Sequence, residues 1–476
     1  MNHMNWFSAL AIIGGLIYPN VGFADDAALL SRISTLERQV EVLTSALGAQ
    51  KIEPSLGAPA LSEEDQHIQE VVNNTYPWMK GLKLSGDLRL RMENFYVDEA
   101  PGRVGRNRFR MRLRYGAEKN IGDDWRVAFR LATGARDTQI SASEVAGSSA
   151  VNLALNDDPT STNQTFTDKF NLKDIFVENA YANYRPSQLK GKGPLRYFEW
   201  QGGKMPLPWK DYSTSIVWDG DVTPEGMYEK MEIGLYEGTG RIQDVALTGM
   251  LGQWLLNETA SAHGDQEMYS YTGSLDTKVN VGLVDPATIR NAVNFYDYVD
   301  LQDNILIGST NLARGNDVSG SKLITEDWNI LQFYNEIKFK NSWIMNKDLA
   351  VFSDWALNTN GTKNQALVFS APLAQIYTDE RNAYSFGAKL GSVKKKKDWE
   401  FGYQHFRIER NSVPGIFTES DLGNGHANHR GEKIYAGYGL TDNLVLNIAG
   451  WFVHDLSNET GTGKTNRFQT DLVWKF

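Results

Sequence analysis

The sequence predicts an all-β protein: a transmembrane antiparallel β-barrel of about sixteen strands, preceded by a short N-terminal coiled-coil helix. Three observations carry this. From Leu82 onward apolar and polar residues alternate with period two, the last such strand ends the chain at Phe476, and the intervening connections alternate between short and long. Composition agrees. The 476 residues include 20 Tyr, 21 Phe and 13 Trp, with 43 Gly against 14 Pro, as expected of many strands bearing aromatic girdles. Mean hydropathy is −0.42, which excludes a bundle of membrane helices but not a barrel, whose inward polar residues dilute the outward apolar ones. There is no Cys, so disulfides, thiolate metal sites and Cys nucleophiles are excluded. A net charge of −10 argues against a nucleic-acid partner.

The first element is a targeting segment. Trp6 to Tyr18 is an apolar run too short to span a bilayer, followed by Pro19 and by Gly22-Phe23-Ala24, with small residues at the −3 and −1 positions of a cleavage after Ala24. Residues 1–24 are therefore expected to be a signal peptide, although no Lys or Arg precedes the apolar run and the free amino terminus must supply its positive charge. An uncleaved anchor helix is the alternative. Residues 25–48 form the second element: Leu29, Ile33, Leu36, Val40, Leu43 and Leu47 follow heptad spacing, with Ile33, Val40 and Leu47 at a and Leu29, Leu36 and Leu43 at d. So short a helix needs a partner in water. A parallel periplasmic coiled coil, trimeric if the barrel is, stands beside a dimer, which β-branched a positions favour, and beside a helix packed on the barrel rim. Residues 49–80, preceded by Gly48, with Pro54, Gly57 and Pro59 near their start and an acidic Glu63-Glu64-Asp65, read as a periplasmic linker.

Residues 81–476 are the expected barrel. In the second strand Arg106, Arg108, Arg110, Arg112 and Arg114 share one face, and Phe109, Met111, Leu113 and Tyr115 share the other. No sandwich core accepts such a row of arginines, whereas a strand between lipid and a watery lumen suits both faces. Strands are expected at 82–96, 106–119, 124–133, 174–184, 195–204, 226–236, 240–256, 267–281, 290–300, 329–340, 348–357, 382–391, 398–409, 432–440, 444–454 and 466–476. The connections between them alternate in length, consistently from both ends. Short turns belong on the periplasmic side and longer loops outside; Lys394 to Lys397 read as a solvated turn.

The closing strand carries Phe468, Thr470, Leu472, Trp474 and Phe476 on one face, and Gln469, Asp471 and Lys475 on the other. An alternating strand with a terminal Phe resembles the assembly signal of outer-membrane barrels. With Ser85-Gly86-Asp87-Leu88-Arg89-Leu90-Arg91-Met92-Glu93, Gly203-Lys204-Met205-Pro206, Val217-Trp218-Asp219-Gly220-Asp221-Val222-Thr223-Pro224-Glu225-Gly226 and the closing Trp474-Lys475-Phe476, the chain resembles the putative-porin group over residues 82–476. More local similarity links it to phosphate-selective porins, which share a periplasmic coiled coil and an arginine-lined channel. The resemblance implies a Gram-negative outer membrane, with lipid, lipopolysaccharide and the barrel-assembly machinery as partners. It also implies a homotrimer and passive diffusion of small hydrophilic solutes or anions, without metal or other cofactor.

Two groups are the expected functional residues. Arg89, Arg91, Arg106, Arg108, Arg110, Arg112, Arg114, Arg126 and Arg130 on the first three strands form a same-face ladder suited to handing anions between partly satisfied sites. Pairing with Asp87, Glu93 or Glu178 simply to stiffen the wall is the plainer reading. The connection 205–225 is, by count, the third outer loop, which in porins folds inward to narrow the pore; it holds Asp211, Asp219, Asp221 and Glu225, with Trp209 and Trp218 to pack it. Asp219 and Asp221 are alternatively turn caps or ligands of an adventitious calcium ion. No Ser-His-acid or metal-ligand spacing recurs among the seven His, which argues against an enzyme. A tether or adhesin with a plugged barrel is the remaining rival.

Overall fold

The computed structural model describes residues 79–99, 102–134, 159–166, 170, 172–189, 193–258, 265–282, 285–301, 314–316, 318–319, 322–323, 328–360, 380–422, 427–456 and 462–476. The expected signal peptide, the coiled-coil helix and all of the linker up to residue 78 lie outside them. Gly81–Phe476 forms one compact unit, built from sixteen strands: β1 (Leu82–Glu99), β2 (Gly102–Ile121), β3 (Trp125–Thr133), β4 (Ile175–Tyr184), β5 (Leu195–Lys204), β6 (Glu225–Glu237), β7 (Ile242–Asn257), β8 (Gln266–Val279), β9 (Ala287–Val299), β10 (Trp328–Phe339), β11 (Leu349–Asn358), β12 (Asn382–Gly391), β13 (Trp399–Ile408), β14 (His429–Gly439), β15 (Leu444–Asp455) and β16 (Thr462–Lys475).

Each strand pairs antiparallel with the next, and β1 pairs with β16 from Asp87↔Lys475 to Asp98↔Lys464, so the sheet closes on itself. Closure leaves no edge strand, whose open row of N–H and C=O groups hydrocarbon would not satisfy. At the last residue Phe476 N donates to Gly86 O at 3.1 Å and Gly86 N donates to Phe476 O at 2.8 Å. Outside, Leu90, Met92, Phe109, Leu113, Phe129, Leu251, Val293, Phe386, Phe401, Ile448 and Phe468 are exposed. That much contiguous apolar surface is compatible with lipid and not with water. The residues between them point inward, among them Arg91, Glu93, Arg112, Arg467 and Asp471, all buried.

The strands fall where alternation predicts them, with differences at their ends. The second strand, expected at 106–119, runs Gly102–Ile121, and the last, expected at 466–476, begins at Thr462. Such extensions continue the backbone ladder past the region where lipid enforces the alternation. In the expected Lys394–Lys397 turn, Lys394 N and Lys395 N donate to the Asp398 carboxylate at 3.2 and 3.1 Å, leaving exposed lysine side chains.

One feature departs from the expected watery lumen. The inward faces of β6 to β15 carry Tyr228, Trp254, Met268, Tyr296, Trp328, Ile330, Phe406 and Trp451, buried with residues of the 205–224 and 409–428 connections in one hydrophobic cluster. Much of the wall from β6 to β15 thus supports a packed core inside the barrel. The expected arginines lie on β1 to β3.

Candidate functional site

The 205–224 loop leaves β5 and rejoins β6 through a neck that only glycine permits. Gly203 has φ +122° and a Cβ there would lie 2.3 Å from Ala180 O; Gly226 has φ +154° and its Cβ would lie 2.1 Å from Gln253 O. Both contacts are with backbone, which cannot step aside. Met205 N closes the neck by donating to Pro224 O at 3.0 Å. Gly226→Ala should therefore destabilise the barrel by about 1–3 kcal/mol, read as a lower unfolding midpoint in detergent. Gly220→Ala, at a position with open space around it, should leave the midpoint unchanged.

Beyond the neck the loop turns inward. Trp209 and Trp218 stack at 4.8 Å, Trp209 meets Trp254 edge-on at 5.0 Å, and Tyr296 meets both rings at 5.3 and 5.4 Å. Each such aromatic pair contributes about 0.5–1.5 kcal/mol beyond its burial. Polar contacts fix the loop to the far wall. Thr214 N donates to Asp354 Oδ2 at 2.7 Å, Asn294 Nδ2 to Tyr212 O at 2.7 Å, and Gln332 Nε2 to Ser213 Oγ at 2.9 Å. Arg290 donates to the Asp211 backbone carbonyl at 3.0 Å, while Asp211 itself is exposed.

A second connection, 409–428, meets the first inside the barrel, which sequence reasoning did not anticipate. Phe417 lies 5.4 Å from Trp218, Asp219 N donates to Phe417 O at 2.7 Å, and Glu419 N donates to Ser215 O at 3.1 Å. Asn316, from the β9–β10 connection, brackets it by donating to Val413 O at 2.9 Å and accepting from Gly415 N at 2.8 Å. The Asp219 carboxyl accepts from Asp221 N at 2.8 Å and Ser420 N at 2.7 Å, so it caps one turn and ties the two loops. Burial, with Glu419 and then Asp221 nearby, pushes this carboxyl well above its ordinary range against those two hydrogen bonds. Glu225 departs from expectation. It is the first residue of β6, exposed on the face shared with Met227, and pairs with Lys204 at 2.8 Å; the strand alternation begins one residue earlier than expected and turns it away from the loop.

The predicted arginines lie together on the inner wall, and most have acidic partners. Arg91 binds Asp471 through two bonds of 2.7 and 2.8 Å, Asp421 at 3.0 Å and Glu93 at 3.6 Å. Arg108 binds Glu93, and Arg130 binds Glu178. Arg112 and Arg114 share Asp87 at 2.9 and 2.6 Å and reach Asp221 at 3.5 and 3.9 Å. Arg126 meets Glu118 at 3.6 Å, and Arg110 lies 4.0 Å from Glu93. Arg89 and Arg106 make no ion pair among the described residues. Arg467 on β16 joins the set through Asp421 at 2.8 Å. Burial alone would raise the Asp421 carboxyl, but Arg91 and Arg467 outweigh it and hold the group far below the ordinary carboxylate range.

Asp421, Asp471 and Arg467 were not singled out beforehand. Asp471 carried a usable signal, since it sits on the inward face of the closing strand, and closure puts it opposite Arg91. Phe468, Leu472, Trp474 and Phe476 share the opposite, outward face of that strand and its end, with Phe468 and Phe476 exposed. Among the described residues no three His, Asp or Glu side chains gather as metal ligands would.

No curated protein sequence matches. Among solved structures the chain is similar to Pseudomonas putida OprB in its high-pH structure, with 12% identity and a TM-score of 0.48 over 86% of this chain and 97% of that one. It is similar also to Salmonella typhi OmpF in complex with daunomycin, with 8% identity and a TM-score of 0.44 over 83% and 97%. Residues 101–158, 151–335 and 323–476 match the family described as putative porin. Since these matches run from residue 101 to the last residue, the chain belongs to the putative porin family.

Proposed function

We propose that this porin forms a water-filled channel through the Gram-negative outer membrane, by which small hydrophilic solutes diffuse passively, with a preference for anions. One observation carries the preference. Eight inward guanidiniums (Arg91, Arg108, Arg110, Arg112, Arg114, Arg126, Arg130 and Arg467) are met by seven carboxylates (Asp87, Glu93, Glu118, Glu178, Asp221, Asp421 and Asp471), and Arg89 and Arg106 beside them have no ion pair among the described residues. Among these groups the surplus charge is positive. Because guanidinium keeps its charge at any physiological pH and the site is flanked by low-dielectric walls, that surplus favours a passing anion. The two inward loops pack on the opposite wall and reach the arginines only through Asp221 and Asp421 among the described ion pairs, which supports a path beside the arginines with the 205–224 loop as its constriction.

The rival reading is a plugged barrel acting as a tether, and the packed loops inside the lumen are its support. Purified protein in a planar bilayer under a KCl gradient separates the readings. The current should reverse toward the chloride equilibrium potential. Reversal toward potassium would remove the anion preference, and absence of conductance would favour the tether.

A further inference from the structure

Residues 159–166 belong to the long β3–β4 connection, and part of this segment lies against the arginine wall. Gln164 and Thr165 pair with Met111 and Arg110 of β2, and Thr160, Ser161, Asn163 and Gln164 are buried. Three uncharged oxygens of this segment meet two guanidiniums. Arg89 Nη2 donates to Asn163 Oδ1 at 2.6 Å, while Arg110 Nη2 donates to Asn163 O at 3.1 Å and to Ser161 Oγ at 3.3 Å. The Nε atoms of both arginines are buried without a partner. The acid nearest to Arg110 is Glu93 at 4.0 Å, which Arg108 already engages. Arg112 and Arg91, opposite them in register, are held by Asp87 and Asp471.

We propose that Arg89 and Arg110 form a subsite for the carboxylate group of a passing solute, and that Asn163 with Ser161 fills it as a neutral stand-in which the solute displaces. The inference rests on the anion-path reading above and narrows it to a ligand class and a place. Two guanidiniums that meet on oxygens of one residue present donors as a single carboxylate would use them, one oxygen to each. One negative charge is sufficient, because the neighbouring arginines are already matched. A phosphate would call for a third free fork, and Asp87 and Asp471 occupy the nearest ones. Hydrogen bonds to a charged acceptor are roughly twice as strong as those to a neutral one, so a carboxylate outcompetes the amide and the hydroxyl. An acidic residue at position 163 would neutralise the pair permanently. A neutral one keeps it available while shielding it, which meets the requirement that a channel site bind well enough to admit a solute and weakly enough to release it.

The test uses the full-length protein in planar bilayers with KCl on both sides and potassium benzoate added as the probe. The measured quantity is the benzoate concentration that halves the chloride current. Arg89→Gln should raise it by about tenfold or more, the size of a lost charge-assisted hydrogen bond. Asn163→Ala should lower it, and Asn163→Asp should abolish the block. These opposite signs separate a displaceable stand-in from a residue that merely props up the wall, and the KCl conductance of each variant reports that it has folded. Inorganic phosphate should block more weakly than benzoate in the native protein. Unchanged block in Arg89→Gln, or weaker or unchanged block in Asn163→Ala, would overturn the subsite even if the KCl reversal potential still favours chloride. Phosphate blocking as well as benzoate would overturn the carboxylate assignment. Cation selectivity in the native channel would instead overturn the anion path itself, and the subsite with it.

Discussion

Trp218→Ala is expected to enlarge the channel and to destabilise the protein by about 3–5 kcal/mol, the usual cost of truncating a buried Trp. The side chain is 3% exposed and packs against Trp209, Tyr296 and Phe417, so its removal unlinks the 205–224 loop from the wall and from the 409–428 loop together. Two measurements check this. Single-channel conductance should rise and become noisier, and Lys210, already exposed, should become readily cut by trypsin in reconstituted vesicles. An unchanged conductance with the loop released would show that the narrowest point lies elsewhere.

Asp421→Ala should have an effect of similar size by a different route. Arg91 and Arg467, both buried, each lie within 3.0 Å of this carboxylate. Breaking a buried pair by removing one partner costs about 3–5 kcal/mol, because a desolvated charge is left uncompensated. The unfolding midpoint should fall accordingly. Removing one of the seven carboxylates should also move the KCl reversal potential further toward chloride. Glu225→Gln is the contrast: it deletes an equally short contact to Lys204, but on an exposed outward face, where such pairs contribute about 0–1 kcal/mol. A midpoint insensitive to Asp421→Ala would mean that water already compensates the two arginines.

The barrel was legible because lipid imposes a strict period on every strand it touches. Leu90 and Met92 had to face out, so Arg89, Arg91 and Glu93 had to face in, and strand count followed from loop parity. The arrangement inside was much less legible. Loops carry no periodicity, so nothing in the run from Arg410 to Leu422 announced that Phe417 and Asp421 would enter the lumen. Trp209 and Trp218 did hint at an inward loop, since two exposed tryptophans in a polar connection would be costly. The balance of the arginine wall depends on contacts across 330 and 380 residues of chain, from Arg91 to Asp421 and Asp471. Only closure of the sheet makes them neighbours. Asn163 was illegible for a related reason: its role comes from its position beside Arg89, and no local pattern distinguishes it from any other polar loop residue.

The junction of first and last strands bears on how long the folded molecule lasts. Along that line Arg91 grips Asp471 on the neighbouring strand and Asp421 on a loop that also holds the inward core. Peeling β1 from β16 therefore strains the ladder, the ion cluster and the inner packing together instead of one after another. Interactions that must be broken before the chain gains any freedom slow unfolding more than they shift the final balance. Along this seam, unzipping is opposed by a barrier, and the working life of the barrel becomes a matter of rate.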